Sequence, residues 1–147
     1  KIDVLPKMMG YQAEGSAPIV RGHVIENPET IATAIRIGNP ASWKQAEAAR
    51  DESNGVIDMI SDKDISYYHQ LLANKGGVFC EPASAISIAG VVHASRSINF
   101  QDTDIIVSII TGHGLKDPDQ AIKVSKQPQV VEATYDSVVG AIFSPSH

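Results

Sequence analysis

Residues 104–110, Asp-Ile-Ile-Val-Ser-Ile-Ile, limit what this chain can fold into more than any other stretch. Ile105, Ile106, Val107, Ile109 and Ile110 are β-branched, which favours an extended backbone. The apolar side chains fall on both alternating faces, so a strand here needs cover above and below. In a chain that otherwise alternates helix and strand signals, that points to an inner strand of a parallel sheet. The run ends abruptly at Thr111-Gly112-His113-Gly114. Ligands of open α/β sheets collect at the carboxyl ends of strands, so this loop is a candidate site by position.

The elements around it follow from periodicity and punctuation. Residues 7–12 read as a strand, and Gly15-Ser16 leads to a short helix over 17–21. Asn27-Pro28-Glu29 supplies an N-cap, a first-turn proline and an acid, with Ile31, Ala34 and Ile35 as an apolar stripe that Gly38-Asn39-Pro40 ends. Ser42 with Gln45 has capping-box spacing before an alanine-rich helix that stops at Asn54-Gly55. Val56 to Ile60 is the next strand. Ser61 with Asp64 opens a helix whose face carries Ile65, Tyr68, Leu71 and Leu72 and which Gly76-Gly77 closes. After Val78-Phe79-Cys80, residues 83–95 are apolar nearly all round, as a buried helix requires. Asp117-Pro118-Asp119 starts a further short helix, residues 130–134 read as a last strand, and 137–143 as a last turn or helix. The fold class is therefore α/β, an open and mostly parallel sheet flanked by helices.

Composition removes several functions. A net charge of −5 with 5% aromatic residues and no Lys/Arg cluster argues against a nucleic-acid groove or an anionic membrane surface. No apolar run is long enough to span a bilayer. Cys80 is the only cysteine, which rules out an internal disulfide and suits a reducing, cytoplasmic setting. None of His23, His69, His93, His113 or His147 has a second histidine at metal-ligand spacing, so no metal site is expected. Nucleophile-elbow, Walker and dinucleotide signatures are missing. Small molecules are the expected partners. At the 111–114 loop, Gly112 and Gly114 let backbone N–H groups approach a planar or anionic ligand, and Thr111 offers one hydroxyl donor. The same residues also suit an ordinary turn, with Thr111 bonded to local backbone and His113 facing solvent.

Three runs decide further: ENPETIATAIRIGNPASW (Glu26 to Trp43), VFCEPASA (Val78 to Ala85) and TGHGLKDPD (Thr111 to Asp119). In this order and spacing they resemble the C-terminal part of the threonine synthase family, pyridoxal-phosphate enzymes of the fold type II group. The resemblance implies that residues 1–143 are the C-terminal portion of a cofactor-binding large domain, with 144–147 a tail. It implies that Thr111 lies beside the pyridine nitrogen of pyridoxal 5'-phosphate and that Gly112 belongs to the same contact. Glu81 would come close to the cofactor edge, and Ile37, Gly38 and Asn39 would pass near the ring through their backbone. Read as residues alone, Glu81 is an acid before a helix-starting proline, and 37–39 an ordinary helix stop.

The implied reaction converts O-phospho-L-homoserine and water to L-threonine and phosphate, in a homodimeric enzyme of well over twice this length. The family's Schiff-base lysine and phosphate-cradling loop would precede Lys1, and none of the eight lysines here matches that lysine's setting. Lys116 is expected to be a solvent-exposed turn residue. The chain, which starts at Lys1, is thus expected to be a fragment without a catalytic residue of its own, inactive alone, whose partner is the N-terminal part of the same protein. Two other readings stand beside this one: a different fold type II enzyme, such as a threonine or serine dehydratase, against which TGHGLKD speaks, and a free-standing, non-catalytic α/β binding domain.

Overall fold

The computed structural model describes residues 3, 5–126 and 128–143; the expected 144–147 tail lies outside them. Two parallel strands, β1 (Met9–Ala13) and β2 (Val56–Ile60), pair in register from Met9 opposite Val56 to Ala13 opposite Ile60. Between them come a short helix α1 (Pro18–Arg21), a single 3-10 turn (Thr33–Ile35) and helix α2 (Trp43–Glu52). After β2 follow α3 (Asp62–Gly76), α4 (Pro82–Ala94), a second 3-10 turn (Gly114–Lys116), α5 (Pro118–Val124) and α6 (Tyr135–Phe143). The architecture is α/β with a parallel sheet.

Local chemistry explains most boundaries. The α1 N-cap, Ala17, has no side-chain acceptor, so Gln12 on β1 supplies one: its Oε1 accepts from the Ile19 and Val20 amides at 3.0 and 3.2 Å. Ser61 caps α3 by accepting from the Asp64 amide at 3.1 Å while its hydroxyl donates to the Asp64 carboxylate. Gly77 closes that helix in the left-handed conformation. Ser42, in contrast, makes no side-chain cap at α2, so the second expected capping box does not form. Asn54 ends the α2 segment at φ 50°, a region that asparagine tolerates better than most residues.

Small side chains dominate the core. Ala13, Ala32, Ile60, Ile65, Ala83, Ile86 and Ala89 form one cluster, edged by Tyr11, Ile31, Ile35 and Tyr68. Helix α4 contributes three of these seven, more than any other element, and packs against α3 and the two strands. The expectation of a helix buried on nearly every side holds for its first turns, where residues 82–86 are all buried.

Three expected elements differ. Residues 27–37 do not form a helix beyond the one 3-10 turn, because tertiary partners take their backbone groups. Ser16 donates to the Ile35 carbonyl and accepts from the Ile37 amide, Asp62 accepts from the Ile31 amide, and Arg36 donates to the Thr30 carbonyl. The 104–110 run is not a strand: no described residue pairs with it, and Ile105 and Val107 are 91% and 74% exposed. Its composition asks for a neighbour on each edge, and β1 and β2 pair only with each other. Residues 130–134 likewise form no strand, and Val130 is exposed.

Candidate functional site

The 111–114 loop is held by the segment that precedes α4. The Glu81 amide donates to the Gly112 carbonyl at 3.0 Å, and the Gly114 amide to the Phe79 carbonyl at 3.1 Å, so residues 79–81 and 112–114 run antiparallel with a bridge between Cys80 and His113. From the other side, His69 on α3 donates its Nε2 proton to the Cys80 carbonyl at 2.8 Å. The loop is thus anchored on the core although the run leading into it is not.

Ser84, in the first turn of α4, is the second anchor. It is buried, and its Oγ accepts from the Thr111 and Gly112 amides at 3.0 and 2.9 Å. The Thr111 hydroxyl lies 3.1 Å from the same oxygen, and the Thr111 residue is exposed. A threonine tied by its backbone and open at its side chain can hydrogen-bond a ligand without first paying for loop order.

Glu81 closes the arrangement underneath. Its side chain is 5% exposed and pairs with Lys116, Oε2 to Nζ 3.1 Å, while Lys116 is 60% exposed. The Glu81 carboxylate also fills the space where a residue 112 side chain would go. A Cβ built on Gly112 would stand 2.0 Å from Glu81 Oε1, so only glycine fits as the site stands. Beside it, burial pushes the Cys80 thiol up from its ordinary pKa, and the neighbouring Glu81 charge acts in the same direction. His113 is spent locally: Nδ1 accepts from the Leu115 amide at 3.1 Å, and the ring meets Phe79 edge-on at 5.4 Å.

Of the five residues that the resemblance implies around a cofactor, Thr111, Gly112 and Glu81 are neighbours. Gly38 and Asn39 occupy a separate loop. Gly38 accepts from the Ile25 amide at 3.0 Å, and its Cβ would collide with the Ile25 carbonyl at 1.8 Å, so this glycine allows two backbone segments to touch. Among the described residues no hydrogen bond joins Gly38 or Asn39 to the Thr111 cluster. The nearest link is Thr33, whose hydroxyl donates to Asp117 Oδ2 at 2.9 Å, three residues beyond Gly114. An open cleft of about 470 Å³ lies at this link, lined by Thr30, Thr33, Arg36, Asp62, Asp117 and Lys123 among others, and does not include Thr111. The Asp62 carboxylate there is already engaged by Thr30 and the Ile31 amide, which makes the cleft a structural joint more than a pocket for chemistry.

Sequence reasoning missed two site residues. Lys116 is solvent-exposed as expected, at 60%, but its pairing with Glu81 was not foreseen. Ser84 was passed over inside the EPASA run; its signal was the one hydroxyl in the first turn of a mostly apolar helix.

Comparison with known proteins gives the cluster a context. A family model described as pyridoxal-phosphate dependent enzyme matches residues 1–112. Threonine synthase of Bacillus sp. (strain ULM1) is 48% identical over 144 residues, covering 95% of this chain and 41% of that protein. Threonine synthase of Halalkalibacterium halodurans is 50% identical over 143 residues, covering 94% and 40%. The chain therefore spans about 40% of the length of these curated relatives. In structure it is similar to a fungal L-serine ammonia-lyase from Rhizomucor miehei, with a TM-score of 0.58 at 16% identity, over 83% of this chain and 42% of that one. That likeness speaks for the fold. With an α/β core, a loop fixed by backbone and serine, and a family match over most of its length, the chain belongs to the pyridoxal-phosphate dependent enzyme family.

Proposed function

We propose that this chain forms one wall of the active site of a threonine synthase, which in its complete form converts O-phospho-L-homoserine and water to L-threonine and phosphate. The observation that carries the reading is the hydroxyl of an exposed residue, Thr111, on a loop whose backbone is already fixed, in a chain about half identical to threonine synthases. The residues present suit the family's cofactor: a neutral donor at Thr111, a bare backbone at Gly112, and a buried carboxylate at Glu81 whose charge is taken up by Lys116.

Thr111 would hold the ring nitrogen, Gly112 would offer its bare backbone to the same contact, and Gly38 and Asn39 would contribute backbone from their own loop. When bound, pyridoxal phosphate supplies an electron sink for carbon-acid chemistry. The hydroxyl of Thr111 donates one hydrogen bond but carries no charge, so it does not hold a proton on the ring nitrogen as a carboxylate would. Glu81, paired with Lys116, packs against Gly112. The Schiff-base lysine and the phosphate-binding loop belong, on this reading, to the part of the relatives' length that the chain does not span. The same reading makes the complete protein a cytoplasmic homodimer in which residues 1–143 complete the large domain.

Two variants of the full-length protein test it. Thr111→Val keeps the β-branched shape and removes the donor, which is expected to weaken cofactor binding by about 0.5–1.5 kcal/mol and to slow turnover. Thr111→Asp is expected to favour a protonated ring and move the product ratio from threonine toward elimination products. Wild-type turnover, cofactor absorbance and product ratio in both variants would remove Thr111 from the site.

A further inference from the structure

We infer that Ser84 sets the direction of the Thr111 hydroxyl, so that its proton points out of the loop toward the ligand. The inference rests on the reading of Thr111 given above and adds a positioning residue to it. A serine hydroxyl has two acceptor lone pairs and one proton. At Ser84 both lone pairs are taken, by the Thr111 amide at 3.0 Å and the Gly112 amide at 2.9 Å. With no acceptor capacity left, Ser84 Oγ must be the donor in its 3.1 Å contact with Thr111 Oγ1. The other acceptor within reach, the Gly112 carbonyl, is farther at 3.5 Å and already receives the Glu81 amide.

Thr111 Oγ1 is thereby an acceptor on its inner side, and its own proton is left for a partner on the exposed side. Such a threonine is a fixed donor and not a rotor that samples both roles. A ring nitrogen bearing only a lone pair matches it, whereas a protonated ring nitrogen, itself a donor, would find its partner's proton in the way. Ser84 is 1% exposed and lies in the first turn of a buried helix, so its oxygen has little freedom to abandon the two amides. The chain of contacts runs from the core of α4, through one hydroxyl, to the site of the ligand.

The test is a double-variant cycle in the full-length protein: Ser84→Ala, Thr111→Val and both together. The readouts are the affinity of the apo protein for pyridoxal phosphate, followed by absorbance, and the 15N shift of the labelled ring nitrogen in the bound cofactor. Thr111→Val alone is expected to weaken binding by about three- to tenfold. Ser84→Ala is expected to weaken it less and to move the ring-nitrogen signal toward its position in Thr111→Val. In the Ser84→Ala background, Thr111→Val is expected to cost under about twofold, because an undirected hydroxyl has less to lose. If Thr111→Val costs the same in both backgrounds, and the ring-nitrogen signal of Ser84→Ala stays at the wild-type position, the directing role of Ser84 is overturned while the Thr111 assignment stands. If Thr111→Val costs nothing in either background, the assignment itself falls and the inference with it. Should Ser84→Ala fail to fold, Ser84→Cys, which keeps the branching and weakens both hydrogen-bonding roles, goes through the same cycle with the same criteria.

Discussion

Gly112→Ala separates a steric requirement from a conformational one. The backbone of Gly112 is outside the left-handed region, so alanine fits its dihedral angles. What it does not fit is the space: the three atoms nearest a built Cβ are Glu81 Oε1 at 2.0 Å, Cδ at 2.1 Å and Oε2 at 2.7 Å. A flexible surface side chain would simply swing away, but this carboxylate is buried and held by Lys116. Moving it resembles overpacking a core, which costs about 1–3 kcal/mol, while the reduced freedom of the unfolded chain returns about 0.4–1 kcal/mol. The net expectation is a loss of roughly 0.5–2 kcal/mol in the wild-type background. In a Glu81→Ala background the obstruction is gone and only the unfolded-state term remains, so the same substitution should stabilise by up to about 1 kcal/mol. Urea unfolding of the four proteins by circular dichroism reads the change of sign, provided the slopes agree. An equal effect of Gly112→Ala in both backgrounds would refute the reasoning, since the carboxylate would then not be what excludes a side chain at 112.

Three further outcomes are expected. Ser61→Ala should cost about 0.5–2 kcal/mol by removing the α3 cap, whereas Ser42→Ala, which removes no cap bond, should stay within about 0.5 kcal/mol in the same urea assay. Cys80 has a higher pKa folded than unfolded, so its contribution to stability is complete below the ordinary thiol range and is lost as pH rises through the raised value; Cys80→Ser should make the alkaline decline shallower, and alkylation of Cys80 at neutral pH should be far slower than in urea. The chain by itself, with Ile105, Val107 and Ile109 exposed, is expected to self-associate in sedimentation velocity, and Ile105→Lys with Val107→Lys to shift it toward monomer; a wild-type monomer with a sharp melt would contradict this.

Elements whose causes are local were legible in the sequence. The Ser61 cap, the Gly77 stop, the β2 strand and the buried character of α4 all depend on residues within a few positions of one another, and they stand where spacing put them. Elements that depend on distant partners were not. The 27–37 segment carries a helix-start signature, yet Ser16 and Asp62 satisfy its backbone from elsewhere, and nothing in the local pattern announces them. The 104–110 run carries the strongest strand signature in the chain, but a strand exists only with a neighbour, and no described residue is one. In the site, the resemblance implied only that Gly112 and Glu81 each approach the cofactor, whereas their packing on one another, the Lys116 pairing and the Ser84 contacts needed three dimensions.

The Asp117 carboxylate, met above as a loop contact, has a bearing on when the molecule can be finished. One of its oxygens caps α5 by accepting from the Gln120 amide at 3.3 Å, and the other takes the Thr33 hydroxyl, which is 84 positions earlier. Closing so long a loop adds little to the equilibrium cost, because the entropy grows only with the logarithm of length, about 0.6 kcal/mol for each doubling. Time is another matter. On the ribosome, at about 5–20 residues per second, Thr33 leaves the tunnel seconds before Asp117 exists. The 30–39 segment must wait through that interval without this partner, while β1, β2 and α3 can already form. An early segment is for this reason locked by a late one: the loop at 30–39 gains its bond to Asp117 only after the residues between them have been made.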